Sequence, residues 1–278
     1  MTLSVNTNQP ALIALQNLNR TNDDMQAVQT RINTGEAIST AKDNAAVWSI
    51  AQEQRGDMSA LSAVKMSLDR ATSIADVALA AGDSISDLLK LLREKVVAAK
   101  DTSLTTSSRT SLNADFQGLL KNLDQVVKSA VFDGANLLDG SQAADMQFLA
   151  DADAAQAITL SLQNLSLGGT INTLTTTDDI LTPANADAVF QRLEASMTAI
   201  NQAVGNIGTQ AKQIDAHNSF VGKLSDVLET GVGNLVDADL AKESARLQAL
   251  QVKQQLGAQA LSIANSAPQI ILSLFKGG

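Results

Sequence analysis

The sequence predicts a mainly α-helical protein: a long antiparallel coiled-coil rod with a small β-hairpin region at one end and the N- and C-terminal helices paired at the other. Three observations predict this class. Apolar residues recur at steps of three and four over long stretches. Only 3 of the 278 residues are Pro, which interrupts helices. The centre of the chain instead alternates apolar and polar residues between Gly-containing turns.

The first long helix is predicted by a heptad track that begins at Leu61. The track runs through Leu61, Val64, Leu68, Ala71, Ala75, Ala78, Gly82, Ile85, Leu89, Leu92, Val96 and Ala99. Gly82 is the one poor filler among these positions. A second track, for a shorter helix, runs through Leu112, Phe116, Leu119, Leu123, Val126 and Ala130. Both tracks are typical of a helix that buries one face against another helix.

The third track predicts another long helix, of about 75 Å if it is unbroken. It runs through Ala186, Phe190, Leu193, Met197, Ile200, Val204, Ile207, Ala211, Ile214, Asn218, Val221, Ser225, Leu228, Val232 and Leu235. Only two of these positions are polar. Asn218 stands where a single buried amide fixes the register of a coiled coil rather than adding stability.

Weaker versions of the same pattern lie at the two ends of the chain. The N-terminal track contains Leu15, Leu18, Met25 and Ile32, with Asn22 and Gln29 as interruptions. The C-terminal track contains Leu247, Leu250, Leu261 and Ile271, with Gln254 and Gly257 as interruptions. Short amphipathic helices with polar seams are marginal alone and need a partner. Each end is therefore a candidate interaction element.

The helical pattern stops between about 131 and 182. Asp133-Gly134 and Asp139-Gly140 are turn signals, and the segments MQFLAD and AITLSLQNL alternate as strands do. A Thr-rich loop then leads to Pro183 and the third track. This region is the predicted β-hairpin end of the rod.

The composition argues against several classes of function. The formal net charge is −9, and nucleic-acid binding needs clustered basic charge. The absence of Cys excludes disulfides, Cys-zinc sites and thiol nucleophiles, and a single imidazole, His217, leaves no His pair for a metal. The longest apolar runs are far shorter than the roughly 18 residues of a membrane span. We expect neither an enzyme nor a cofactor, although an unfamiliar helical enzyme stays a remote alternative.

The two ends of the chain resemble bacterial flagellins. The segment RINTGEAISTAKDNAAVWSIA resembles their Arg-Leu-Ser-Ser-Gly … Ala-x-Asp-Asp-Ala-Ala block through Arg31, Gly35, Ala41 and Asp43, with Asn44 in place of the second Asp. The segment from residue 237 to 275 is similar to their closing helix, and its matching positions include Asp237, Asp239, Gln254, Gly257, Asn265 and Pro268. The resemblance extends essentially end to end, and the short middle is similar to that of alphaproteobacterial flagellins.

The resemblance implies a structural subunit that polymerises into the extracellular flagellar filament. It implies residues 1–40 and 237–278 as the inner terminal domain, and residues 41–236 as the helical rod domain. It also implies secretion through the flagellar export apparatus and contact with hook-associated and cap proteins. That route needs no cleaved signal peptide, and the first basic residue, Arg20, follows a polar stretch that lacks the form of a general secretory signal.

Two other functions remain open from the sequence: a hook–filament junction protein of the same superfamily, and a soluble coiled-coil signalling module.

A further expectation concerns a host receptor. Flagellins that are detected by the Toll-like receptor of innate immunity carry a Gln-Arg-x-Arg-Glu-Leu-Ala stretch in the first long helix. Aligned through Arg93 and Glu94, this chain has Leu91 in place of the anchoring Arg.

Overall fold

The computed structural model describes residues 7–276, with side chains described as far as residue 266. The chain forms two compact units. A terminal unit consists of the residues before 57 and after 226, and a central unit consists of residues 57–226.

Within the described residues there are five helices and one two-stranded sheet. The helices are α1 (Gln9–Thr34), α2 (Ala45–Ala99), α3 (Thr106–Ser129), α4 (Pro183–Val236) and α5 (Leu240–Lys276), and the strands are β1 (Met146–Leu149) and β2 (Ala157–Leu160). The predicted fold class, mainly α with a small β-hairpin, is therefore confirmed. No helix in this part of the chain is long and apolar enough to span a bilayer.

The seam of α2 is the one that the heptad track predicts. All twelve track positions from Leu61 to Ala99 are buried, Gly82 included. Burying an apolar stripe of this length is what stabilises a long helix, since propensity alone contributes little.

The seams of α3 and α4 depart from the predicted tracks by one residue at several points. In α3, Leu120 and Val127 are buried in place of the predicted Leu119 and Val126, which are only half-buried. In α4 the buried residues are Val189, Ser196, Ala203 and Val236, where the track predicted Phe190, Met197, Val204 and Leu235. A helix has about 3.6 residues per turn, so steps of four-three and three-four both fit an apolar stripe.

The central segment forms the predicted hairpin. β1 pairs antiparallel with β2, from Met146 opposite Leu160 to Leu149 opposite Ala157. The backbone amide of Leu149 donates to Oγ of Ser67 on α2 over 3.2 Å, which attaches the hairpin to the helices of the central unit. Gly134 and Gly140 both have positive φ angles, as turn residues do.

His217 has a structural role in this arrangement. Its Nε2 lies 2.6 Å from the carbonyl oxygen of Ala150, just after β1, and its ring lies against that of Phe220. The imidazole therefore holds the end of the hairpin on α4.

Candidate assembly surface on the terminal helices

The start of α1 is attached to α5. The side chain of Asn8 accepts a hydrogen bond from the amide of Ala11 and so caps the helix, and Pro10 occupies its first turn. The same side chain donates through Nδ2 to the carbonyl oxygen of Ala264 over 2.7 Å. One residue thus begins α1 and holds it against α5.

The end of α1 explains why the flagellin-like motif has Gly at position 35. Gly35 adopts φ +75°, a left-handed conformation that favours Gly, and its amide donates to the carbonyl of Arg31. The carbonyl of Gly35 then accepts from the amide of Ala238 over 2.8 Å. An isolated β-bridge between Glu36 and Asp237 forms beside it. The turn after α1 is therefore hydrogen-bonded to the turn between α4 and α5.

Two motif carboxylates order the turns at helix starts. Asp43 accepts hydrogen bonds from the amides of Ser39 and Thr40 and from the Thr40 hydroxyl. The bonds from Thr40 contribute most to holding the pKa of Asp43 below its ordinary value. Asp239 caps α5 by accepting from the amide of Lys242 over 3.1 Å.

Two polar interruptions, one from each terminal track, are hydrogen-bonded to each other. Nε2 of Gln254 donates to Oδ1 of Asn22 over 2.8 Å. One turn further along α5, a Cβ at Gly257 would lie 3.3 Å from Cδ1 of Leu18, so the helices approach closely there. Asn22 and Gln254 are therefore matched across the antiparallel pair of α1 and α5, and Gly257 makes room for Leu18, whereas Gln29 is exposed.

Two ion pairs lie among the described residues of the terminal unit. Nη1 of Arg31 is 3.6 Å from Oε1 of Glu243, which is buried. Nη2 of Arg55 is 2.6 Å from Oε1 of Glu36 in the turn after α1. Both pairs hold the turn region rather than the free end of the helices.

The predicted interaction residues divide into inward and outward positions. Leu250 is buried, and Leu18, Met25, Ile32, Leu247 and Leu261 are half-buried in the pair. Leu15 is 43% exposed, and the motif residues Ala41 and Asn265 are also exposed. Ile271 and Pro268 lie outside the residues whose side chains are described. Val28 is fully buried and was missed, although it lies three residues after Met25 and four before Ile32.

Large apolar side chains remain on the outside of both terminal helices. Each of the following is at least half exposed: Leu12, Ile13, Val252, Leu256 and Ile263. A shallow groove of about 600 Å³ lies between the helices, and its walls are mostly apolar. Large exposed apolar surfaces are typical of protein–protein or membrane interaction sites and of ligand-binding grooves.

Residues 5–143 match the bacterial flagellin N-terminal helical region, and residues 190–275 match the bacterial flagellin C-terminal helical region. The chain belongs to the bacterial flagellin family.

Curated flagellins match this flagellin over nearly its whole length. Flagellin FljJ of Caulobacter vibrioides is 78% identical over an alignment of 282 positions, gaps included, that covers all of both chains. Flagellin FljO of the same organism is 49% identical over 98% of each chain. A flagellin of Brucella melitensis is 36% identical over 99% of each. The predicted function, a structural subunit of the flagellar filament, is confirmed by this membership.

A solved structure shares the fold. A putative flagellar hook-associated protein of Vibrio parahaemolyticus superposes with a TM-score of 0.58, over 70% of this flagellin and 100% of that chain. The two sequences are 14% identical, so the likeness concerns the fold alone.

The position singled out for host recognition lies on α2 in the central unit of this flagellin. Leu91 is 46% exposed and lines a shallow groove with Lys95 and Leu119. Nε of Arg93 is 2.5 Å from Oε1 of Glu194 on α4. Reduced recognition by the receptor stays a prediction, as does any role for Glu94.

Proposed function

We propose that α1 and α5 form the surface through which this flagellin polymerises. The residues proposed to take part are Leu15, Leu18, Met25, Ile32, Leu247, Leu250, Leu261 and Ile271, within segments 1–40 and 237–278. The observation that carries the proposal is the exposed apolar surface on both helices of the pair. A two-helix unit buries too little apolar area to be stable by itself, so contact with further copies adds the missing burial.

The distribution of charge supports the same surface. Residues 57–226 carry eight of the nine net negative charges, which leaves the terminal unit nearly neutral. Like charges repel when copies pack closely, and a nearly neutral surface avoids that repulsion. Electrostatic repulsion between closely packed copies is therefore weakest when they pack through the terminal unit.

The polar seam gives the assembly surface a second property. Asn22 and Gln254 bond each other, and Gly257 adds no apolar surface to the seam. A pair with such a seam is only marginally stable before assembly. Ordering that is completed on contact with other copies limits premature polymerisation.

We further propose the route and the surroundings of the assembled chain. The chain leaves the cell through the flagellar export apparatus, adds to an extracellular filament and meets hook-associated and cap proteins there. The lack of Cys and the presence of only three Pro suit passage of an unfolded chain, because neither disulfides nor slow prolyl isomerisation interferes.

Seeded elongation tests the polymerisation surface. A chain truncated after Asp239 lacks α5, and we expect it to leave filament seeds unextended in electron micrographs. A matched variant in the central unit, Met66→Ser, changes a side chain that is 66% exposed and should elongate seeds normally. Normal filaments from the truncated chain would contradict the proposal.

Hydrogen exchange gives a second test. The amides of α1 and α5 should be much better protected in the filament than in the monomer, whereas those of the α2 seam should be protected in both. Equal protection of α1 and α5 in the two states would argue against ordering on assembly.

A further inference from the structure

The chain contains two Asp-Gly pairs, Asp133-Gly134 and Asp139-Gly140, and both lie in turns of the central unit. In such a pair the backbone nitrogen of the glycine can attack the carboxyl carbon of the preceding aspartate and close a five-membered imide ring. Glycine permits the attack because it has no side chain to crowd the ring. Whether the reaction occurs in a folded chain depends on whether the turn leaves the two groups free to approach each other.

Asp133 and Gly134 form the corner of a two-residue turn. Phe132 and Ala135 exchange both backbone hydrogen bonds at 2.9 Å, and the two residues between them have φ angles of +49° and +77°, as in a type I′ turn. The side chain of Asp133 is more than half exposed, and it pairs at 3.0 Å with Arg70, which is also more than half exposed. The amide of Gly134 donates no hydrogen bond within the described residues, and a Cβ there would meet no atom within 4 Å. The reacting nitrogen and the reacting carboxyl are therefore both accessible, with room for a ring.

Asp139 and Gly140 are held by contacts with neighbouring segments. Oδ1 of Asp139 accepts from the amide of Ser141 over 2.8 Å, which restrains rotation of the carboxyl toward the nitrogen of Gly140. The backbone carbonyl of Asp139 accepts from Oγ of Ser166 over 3.0 Å. A Cβ at Gly140 would lie 2.5 Å from Nδ2 of Asn164, so this glycine is packed against another part of the chain. Closing a ring at Asp139 therefore requires these contacts to break first.

We propose that Asp133 converts spontaneously to isoaspartate in the folded chain, while the structure protects Asp139. The nitrogen of Gly134 bonds to Cγ of the protonated Asp133 carboxyl, and one carboxyl oxygen leaves as water with the amide hydrogen and the carboxyl hydrogen. Water then adds to the former backbone carbonyl carbon of Asp133, and the bond from that carbon to the nitrogen of Gly134 breaks. The main chain thereafter runs through Cγ. One water is released and one is taken up, so the reaction needs no oxidant, metal or enzyme.

The product cannot keep this turn. The backbone becomes longer by one CH₂ group at residue 133, so Phe132 and Ala135 can no longer exchange their hydrogen bonds across a two-residue corner. The free carboxylate is then attached directly to Cα and is shorter by one carbon, which withdraws it from Arg70. The modification therefore loosens the segment that leads from α3 to the buried Leu137.

Ageing the folded, full-length chain tests the proposal. The purified protein is kept for several weeks at neutral pH in water labelled with heavy oxygen and is then digested in ordinary water. Fragmentation of the peptides by electron transfer distinguishes isoaspartate from aspartate at each position. Isoaspartate should accumulate at residue 133 and carry one heavy oxygen, because hydrolysis of the ring takes its oxygen from the water. The amount at residue 139 should be at least tenfold lower.

The matched control is the second Asp-Gly pair of the same molecule. In guanidinium chloride, which removes the turns, residues 133 and 139 should convert at similar rates, so a difference in the folded chain comes from its structure.

Asp133→Asn is a second test, because Asn also adopts positive φ angles. Its neutral side-chain amide closes the same ring with loss of ammonia, and we expect it to convert faster than Asp133. Equal conversion of the two pairs in the folded chain, more conversion at Asp139, or none at residue 133 in either the unmodified chain or the variant would overturn the inference. Each of these outcomes leaves the proposed polymerisation through α1 and α5 intact, because the inference does not rest on it.

Discussion

Gly82 of α2 lies so close to Val204 of α4 that a Cβ at Gly82 would be only 2.7 Å from Cγ2 of the valine. In the sequence, Gly82 is the weakest member of an otherwise apolar track. In the structure, α2 and α4 approach each other closely at Gly82. The missing side chain is what makes room for a branched residue on the facing helix.

Replacing Gly82 tests this relationship. Gly82→Ala gains up to about 1 kcal/mol of helix propensity, but the added methyl group overpacks the seam at a cost of about 1–3 kcal/mol. We expect the free energy of unfolding, measured with urea, to fall by about 1 kcal/mol. Gly205→Ala on α4 meets no atom within 4 Å and should instead raise it. Stabilisation by both variants would contradict the close approach.

The fold could be predicted from the sequence where one apolar track keeps its phase over many turns. The α2 track does so over twelve positions, and every one of them is buried, even beside adjacent apolar pairs such as Leu88 and Leu89. Leu119 and Leu120 are both apolar, as are Val126 and Val127, so the pattern fits either stripe of α3. Only the neighbouring elements decide which residue of each pair is buried. That information is not local in the sequence.

The terminal surface was predictable to a different degree. The amphipathic tracks identified both helices, and motif residues such as Gly35 and Asp239 proved to be caps. The bond between Asn22 and Gln254 was not predictable, because it joins residues 232 positions apart in the chain. From the sequence alone, polar residues in a seam indicate only that the helix is weakly stable. That two of them bond each other becomes clear once the register of α1 against α5 is known.

Arg109 is a buried residue that the sequence did not single out. It is 7% exposed, and its Nη1 donates to the carbonyl oxygen of Ala99 over 2.5 Å while Nη2 donates to that of Asp101. Its guanidinium thus caps the C-terminal end of α2. We expect Arg109→Met to lower the free energy of unfolding by about 2–3 kcal/mol, because buried carbonyls lose charged donors.

Arg70→Met is the matched control for Arg109. Arg70 pairs with Asp133 at 3.0 Å, but both side chains are more than half exposed. Such a pair contributes about 1 kcal/mol or less. Equal losses from the two variants would show that the buried position of Arg109 adds nothing.

The turn between α1 and α2 should loosen in acid. The pKa of Asp43 is lowered chiefly by its hydrogen bonds from Thr40. The pKa is therefore lower in the folded than in the unfolded chain, so the stabilisation is present above the unfolded value and is lost as pH falls through the folded value. The protection factors of the Ser39 and Thr40 amides, which compare each exchange rate with the intrinsic rate at the same pH, should fall below the ordinary Asp pKa. Asp43→Asn should remove the pH dependence, and an unchanged profile in this variant would assign it to another group.

Asn218 links two long helices of the central unit. Its Nδ2 donates to Oδ1 of Asp69 on α2 over 2.6 Å, while its own Oδ1 is buried and has no hydrogen-bond partner within the described residues. Asn218→Leu removes that buried oxygen and adds apolar contact, so the melting temperature of the monomer should rise. Loss of the polar pairing between Asn218 and Asp69 should broaden the distribution of filament geometries in electron micrographs.

The control for Asn218 is Asn206→Leu, at an exposed position of the same helix. It should change neither the melting temperature nor the filaments appreciably. If Asn218→Leu lowers the melting temperature and leaves the filaments unchanged, the amide makes a structural hydrogen bond and does not set the register.

Recognition by the host receptor should be weak, because Leu91 stands where the resemblance places an anchoring Arg. Leu91 is 46% exposed, so an Arg there would reach solvent and a partner. Arg offers a planar fork of five donors that Leu lacks, and loss of such an anchor costs about 2 kcal/mol or more. That corresponds to roughly thirtyfold in affinity. In a receptor-reporter assay, purified monomer should therefore signal weakly and Leu91→Arg should signal at least tenfold more strongly. Met66→Arg, at an exposed position of the same helix, should leave the signal unchanged, and potent signalling by the unmodified chain would refute the role assigned to Leu91.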